Sequence, residues 1–179
     1  DADENQTTIG SVTADDVDSS SITFSISGSD LALTTDGVLS FVTAPDYETK
    51  SSYSATVTAS DGDLSATQAI TVNVINLNDN APVFTSNSSL SADENQTSIA
   101  TVTASDADDS SLNFSVSGSE LLITDSGALS FVSAPDYETK SSYTATITVS
   151  DGVATASQNI TVSVNNLNDN PPVFTSFAS

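Results

Sequence analysis

Asn78-Asp79-Asn80-Ala81-Pro82-Val83-Phe84 returns as Asn168-Asp169-Asn170-Pro171-Pro172-Val173-Phe174, and the recurrence decides how the chain is read. Two other stretches repeat at the same offset of about 90 residues. Ala2-Asp3-Glu4-Asn5-Gln6-Thr7 comes back from Ala92 to Thr97, and Pro45-Asp46-Tyr47-Glu48-Thr49-Lys50 from Pro135 to Lys140. An ungapped register with roughly two-thirds identity marks two copies of one unit, and this period suits a complete small domain rather than a solenoid turn. Residues 1–80 are expected to form the first domain and 81–170 the second. Residues 171–179 are expected to begin a following repeat or to form a frayed tail. Pro82 and the Pro171-Pro172 pair come after the last strand of each copy, where a missing N–H ends sheet pairing. The first copy has no counterpart of Ala81 to Leu90, so the chain reads as a piece of a longer array. Head-to-tail strand donation between chains is the weaker reading of those ends. Phe177 has no aromatic counterpart, since Asn87 stands in its place.

Strand patterning is strong. Ile22, Phe24 and Ile26 alternate with polar residues, as do Tyr53, Ala55, Val57 and Ala59, and Ile70, Val72 and Val74. Period two with Ser and Thr outward reads as half-buried strands, and no segment sustains a helical period. Shorter runs lie at Leu31 and Leu33 and at Leu39 and Phe41. Turn signals at Ser27-Gly28-Ser29, Asp36-Gly37 and Asp61-Gly62-Asp63 cut each copy into roughly seven strands. The expected fold is all-β: two tandem Greek-key immunoglobulin-like β-sandwiches joined end to end, with a closed barrel the weaker alternative.

The net charge is −22, from 24 acidic residues against Lys50 and Lys140. Such a surface repels nucleic acid. With no Cys and no His, disulfides, thiolate sites and imidazole ligands are excluded, leaving hard oxygen donors. No apolar run approaches the roughly 20 residues of a membrane span.

Acids concentrate in the loops, which cluster at the ends of a sandwich. Glu4, Asp46, Glu48 and Asp79 come from the first copy and its linker, and Asp106, Asp108 and Asp151 from the second. Seven carboxylates brought together would repel, and three divalent ions would nearly neutralise them. Calcium suits the set better than magnesium because it accepts irregularly placed oxygens, including amide and backbone carbonyls. The Asp106-Ala107-Asp108-Asp109 run is not an EF-hand loop, since it lacks Gly at the sixth position and an acid at the twelfth. Asn5, Asn87, Asn95, Asn113 and Asn159 fall in Asn-x-Ser/Thr patterns that chance supplies in a Ser/Thr-rich chain. The Asp46/Glu48 pair matches metal ligands better than a glycosidase carboxylate pair, and the chain is not expected to be an enzyme.

Glu4-Asn5, Asp46-Tyr47-Glu48, Asp106-Ala107-Asp108, Asp151-Gly152 and Asn76-Leu77-Asn78-Asp79-Asn80-Ala81-Pro82 occur in an order that resembles two tandem cadherin repeats over nearly the whole length. The resemblance implies that Glu4, Asp46, Glu48 and Asp79 bind two calcium ions, with the Leu77 carbonyl and with Asp108 bridging. It implies a third ion held by Asn78, Asn80, Asp106, Asp108, Asn113 and Asp151, Asn80 and Asn113 through backbone oxygen. Asn76 and Asn166 stand where the family has Asp, so the middle ion is expected to be bound more weakly. Asp16, Asp18 and Asp61 form a receiving half-set, and Glu94, Asp136, Glu138, Asn168 and Asp169 a donating one. Tyr47 and Tyr137 replace the family's Arg, and the Trp of strand-swapped adhesion is missing.

The function this implies is a calcium-rigidified extracellular spacer at a cell surface, similar to arrays in large bacterial adhesins, whose partners are neighbouring repeats. Two alternatives stand beside it. One is an adhesive module, homophilic or glycan-binding through Tyr47 or Tyr137, whose plainer role is packing against the domain's own end. The other is an accessory domain of a secreted polysaccharide-degrading enzyme.

Overall fold

The computed structural model describes residues 1–18, 21–108 and 111–175. Phe177 therefore lies outside the described residues, as does the end of the 171–179 segment. The described residues contain strands, turns and irregular segments but no helix. Two compact units are present, Asp1–Asn78 and Asp79–Ser179. Asp79 and Asn80 fall in the second unit because both of their N–H groups donate to Asp108 Oδ2, at 3.0 and 2.8 Å.

Unit 1 has seven strands: β1 (Ala2–Asp3), β2 (Thr8–Ser11), β3 (Thr23–Ile26), β4 (Leu31–Leu33), β5 (Val38–Phe41), β6 (Ser52–Ser60) and β7 (Ser65–Ile75). They form one sheet ordered β1-β7-β6-β3 and another ordered β2-β5-β4. β1 runs parallel to β7, with Ala2 opposite Val74, while the other pairs are antiparallel. Side chains alternate across a strand, so both sheets turn one row inward. Leu31, Leu39 and Phe41 from the second sheet meet Ala2, Val72 and Val74 from the first. This is the sandwich that the period-two runs predict. Phe41 also meets Tyr53 edge-on at 5.0 Å, and Lys50 sits over the Tyr53 ring while pairing with Asp30.

Unit 2 repeats the plan and adds to it. Its strands are β8 (Val83–Phe84), β9 (Ser89–Asp93), β10 (Ser98–Thr101), β11 (Ala104–Ser105), β12 (Asn113–Val116), β13 (Leu121–Ile123), β14 (Ala128–Phe131), β15 (Ser142–Ser150) and β16 (Thr155–Asn165). The sheets are β12-β15-β16-β9 and β10-β14-β13, with a separate β11-β8 pair. The core of Val102, Leu121, Leu129, Phe131, Ile147, Ile160 and Val162 is more fully closed than in unit 1. Ile147, Val149 and Val162 have no exposed surface.

One glycine in each copy is required by close approach. Gly37 and Gly127 have φ of +88° and +87°, and a Cβ there would run into the carbonyl oxygens of Val12 and Val102. The same glycines accept hydrogen bonds from Val12 N and Val102 N at 2.8 Å, tying the turn before β5 or β14 to the chain leaving β2 or β10. Only a residue without Cβ permits both the φ and the contact.

Candidate metal centre

The first acidic group is built at the end of β1. Asn5 adopts φ of 63°, a left-handed conformation that Asn tolerates better than most residues, and its N–H donates to Pro45 O at 2.9 Å. That turn folds Glu4 inward to 2% exposure, where Oε2 accepts from Tyr47 N at 2.9 Å and Oε1 from Leu77 N at 2.7 Å. One carboxylate thus ties together β1, the β5–β6 loop and the segment after β7. Because the Leu77 N–H is occupied, its carbonyl is left as the atom available to a cation. Asp46 is oriented by Thr49, whose N–H reaches Oδ1 at 3.1 Å and whose hydroxyl reaches Oδ2 at 3.0 Å. Glu4, Asp46 and Glu48 each present a carboxylate oxygen, all within 4.8 Å of one another.

Unit 2 makes the same construction 90 residues on. Asn95 has φ of 65°, and Glu94, also 2% exposed, accepts from Tyr137 N at 2.8 Å and Leu167 N at 2.7 Å. Here Glu94, Glu138 and Asp169 converge within 4.8 Å, and Asn95 Nδ2 donates to Asp169. Asp136 accepts from the Thr139 hydroxyl and from backbone N–H groups of its own loop. The Thr139 hydroxyl first, and then those amides, hold its carboxyl below the usual carboxylate value.

A second acidic group occupies the other loops of unit 2. Asp108 accepts three hydrogen bonds, from Asp79 N, Asn80 N and Asn80 Nδ2, and so clamps the chain entering the unit. Asp106 Oδ1 accepts from Asp108 N at 2.9 Å, while its Oδ2 is buried and meets no hydrogen-bond donor. Asp151 is 9% exposed and turns the β15–β16 hairpin, accepting from Val153 N and Ala154 N at 2.7 and 2.6 Å. Asn113 opens β12 opposite Ser150, the residue before Asp151. In unit 1, Asp16 accepts from Asp18 N, and Asp61 from Leu64 N and Asp63 N. The Leu64 and Asp63 amides lower the Asp61 pKa.

Asn76 and Asn78 lie half-buried in the segment after β7, and Asn76 Oδ1 is buried without a donor. An amide oxygen left facing no donor suits a cation and is costly otherwise. The same holds for Asp106 Oδ2. No positive side chain is available to these acids: the two lysines pair instead with Asp30 and Glu120, and the chain has no Arg or His. Hard oxygens, clustered and uncompensated, fit a divalent cation with irregular coordination.

Three supports escape the reading of residue types. The Tyr47 and Leu77 amides aim Glu4, and Thr49 aims Asp46. Thr three residues after Asp is a turn signature that could have flagged the last of these. Tyr47 packs against the core of unit 1, which favours its packing role, whereas Tyr137 is 36% exposed.

The fold and the repeated acidic loops define a tandem immunoglobulin-like sandwich protein with cation-type loop chemistry. A family described as "Bacterial Ig domain" matches residues 78–163. Human Protocadherin Fat 1 is 37% identical over 147 residues, covering 72% of this chain and 3% of that protein. Chitinase A of Pseudoalteromonas piscicida is 34% identical over 143 residues, covering 78% of this chain and 17% of that one. The crystal structure of mouse Cadherin-23 EC22-24 superposes with a TM-score of 0.78 at 25% identity, over 93% of this chain and 62% of that one. The chain is a tandem pair of cadherin-like repeats, and it spans only a small part of these curated relatives.

Proposed function

We propose that this pair of repeats is a calcium-stiffened extracellular spacer in a surface or adhesion protein. The observation that carries the reading is the twice-built buried glutamate: Glu4 and Glu94 each anchor a convergent set of carboxylates with no positive side chain to balance it. Like charges at such spacing repel by about 1 kcal/mol in water and by more as the surroundings dry. Calcium converts that repulsion into cross-linking. Glu4, Asp46, Glu48 and the Leu77 carbonyl supply oxygens from the first copy. Asp79, Asn80, Asp106, Asp108, Asn113 and Asp151 supply them from the second, with Asn76 and Asn78 from the connecting segment. Up to three ions bind, and the one nearest Asn76 is weakest, because a neutral amide replaces a charged donor. Extracellular modules of this type hold calcium with Kd of about 10⁻⁴–10⁻³ M, so the sites fill outside a cell.

The test is small-angle scattering in millimolar calcium and in excess chelator, with calorimetric calcium titration alongside. The distance distribution should change with calcium in the wild type and stay constant in Asp79→Ala, while Asn76→Asp should tighten one binding event. Identical scattering in both conditions would refute the spacer mechanism. The likeness to a region of Chitinase A supports a second reading, an accessory domain beside a secreted polysaccharide-degrading enzyme. A catalytic domain in the parent protein would favour it.

A further inference from the structure

Unit 2 contains a strand that unit 1 lacks among the described residues, and it seats in a groove that both units build. Phe84 of β8 lies opposite Ala104 of β11, and Val83 opposite Ser105. Thr85 N and Ser86 N donate to Thr103 O at 2.9 and 3.2 Å, and Thr103 N returns a bond to Ser86 Oγ. The Phe84 ring meets Phe114 edge-on at 6.4 Å, and Pro82 is fully buried.

Thr103, Ala104 and Phe114 are repeated in unit 1 as Thr13, Ala14 and Phe24, and only Ser105 is changed, to Asp15. Among the described residues, no strand pairs with residues 13–15. The equivalent surfaces differ accordingly. Ala14 and Ala66 are exposed where Ala104 and Ala156 are half-buried, and Ala59 is half-buried where Val149 is fully buried. Ala14, Ile22, Ala59, Leu64 and Ala66 line an open cavity of about 200 Å³ within unit 1.

The chain also carries a second segment of the spelling that fills such a groove. Pro172-Val173-Phe174-Thr175 is identical to Pro82-Val83-Phe84-Thr85. Its Val173 is 83% and its Phe174 95% exposed, although the same residues in β8 serve as a paired strand and a ring contact. The groove of its own unit is already filled by β8. Residues with unused pairing groups beside an apolar cavity form a strand acceptor, and an extended segment of matching side chains is its donor.

We propose that residues 172–175 of one copy add as a strand to residues 13–15 in unit 1 of a second copy, with Phe174 against Phe24. Donor and acceptor are different surfaces, so the contact is heterologous and can propagate beyond two copies. The frayed-tail reading of the segment after Asn170 gives way to a functional one.

The test uses the 179-residue chain in sedimentation equilibrium, at fixed calcium and again in chelator, at moderate salt to screen the −22 charge of each copy. Average mass should rise with concentration. Phe174→Asp removes the donor ring, and Ala14→Pro removes an acceptor N–H in an irregular segment, so each variant alone should remain monomeric. Mixed one to one, they should form a dimer and nothing larger, since each retains the half the other lacks. A wild type that is monomeric throughout would overturn the proposal. So would association that survives both substitutions, which would place the contact elsewhere, such as at the acidic loops.

Discussion

Replacing Glu4 with Gln isolates the buried carboxylate from its neighbours. Glu4 accepts two charge-assisted hydrogen bonds at 2.9 and 2.7 Å from a 2% exposed position. Gln offers one acceptor oxygen and an NH₂, so one of the two amides, Tyr47 N or Leu77 N, then faces a donor. A hydrogen bond to a charged group is worth about 1.5–3 kcal/mol, and leaving a buried N–H unsatisfied adds to the loss, for about 2–4 kcal/mol together. Removing one negative charge from the Glu4, Asp46 and Glu48 group recovers about 1 kcal/mol when no ion is present. The net expectation in chelator is a loss of about 1–3 kcal/mol from unit 1, or a fall of about 5–20 °C in its melting transition. Calcium should widen the gap, because the wild type gains up to about 2.7 kcal/mol at a hundredfold excess over Kd and the variant gains less. Differential scanning calorimetry reads both numbers, and Glu94→Gln, which removes the equivalent bonds in unit 2, assigns the transitions. A Glu4→Gln protein within about 0.5 kcal/mol of wild type in chelator, with an unchanged calcium increment, would show that this carboxylate neither holds the loops nor binds the ion.

Gly127→Ala should cost unit 2 about 2–4 kcal/mol in urea denaturation, from the left-handed φ and the clash with the Val102 carbonyl together. Gly37→Ala should do the same to unit 1. The Asp136 carboxyl, depressed below 3.8 by the Thr139 hydroxyl and loop amides, stabilises unit 2 fully at pH above that ordinary value. The contribution is lost as pH falls through the lower native pKa, so acid unfolding in chelator should begin at higher pH in Thr139→Ala, which loses the hydroxyl. An unchanged acid midpoint would count against that bond.

Much of the architecture was legible in the chain because its signals are local and doubled. Period-two runs marked β3, β6 and β7 to within a few residues, and Asp-Gly marked turns whose φ values only glycine accepts comfortably. The candidate ligands could be named from their spacing and their likeness to cadherin repeats. Their supports could not, because the bonds that aim Glu4 span 43 and 73 residues, and no window of sequence contains both ends.

The sharpest difference lies between positions that are spelled alike. Asp61 and Asp151 close the same hairpin, and Ala14 and Ala104 leave the same strand, yet each second-copy residue is the more buried. By itself the sequence determined that there are two all-β repeats, strongly acidic, with hard oxygen donors in their loops, since composition and period alone settle those matters. Tertiary structure decided which carboxylates sit buried on backbone amides and which groove is filled, because both depend on whether a segment distant in sequence, or borne by another copy, comes to lie against them.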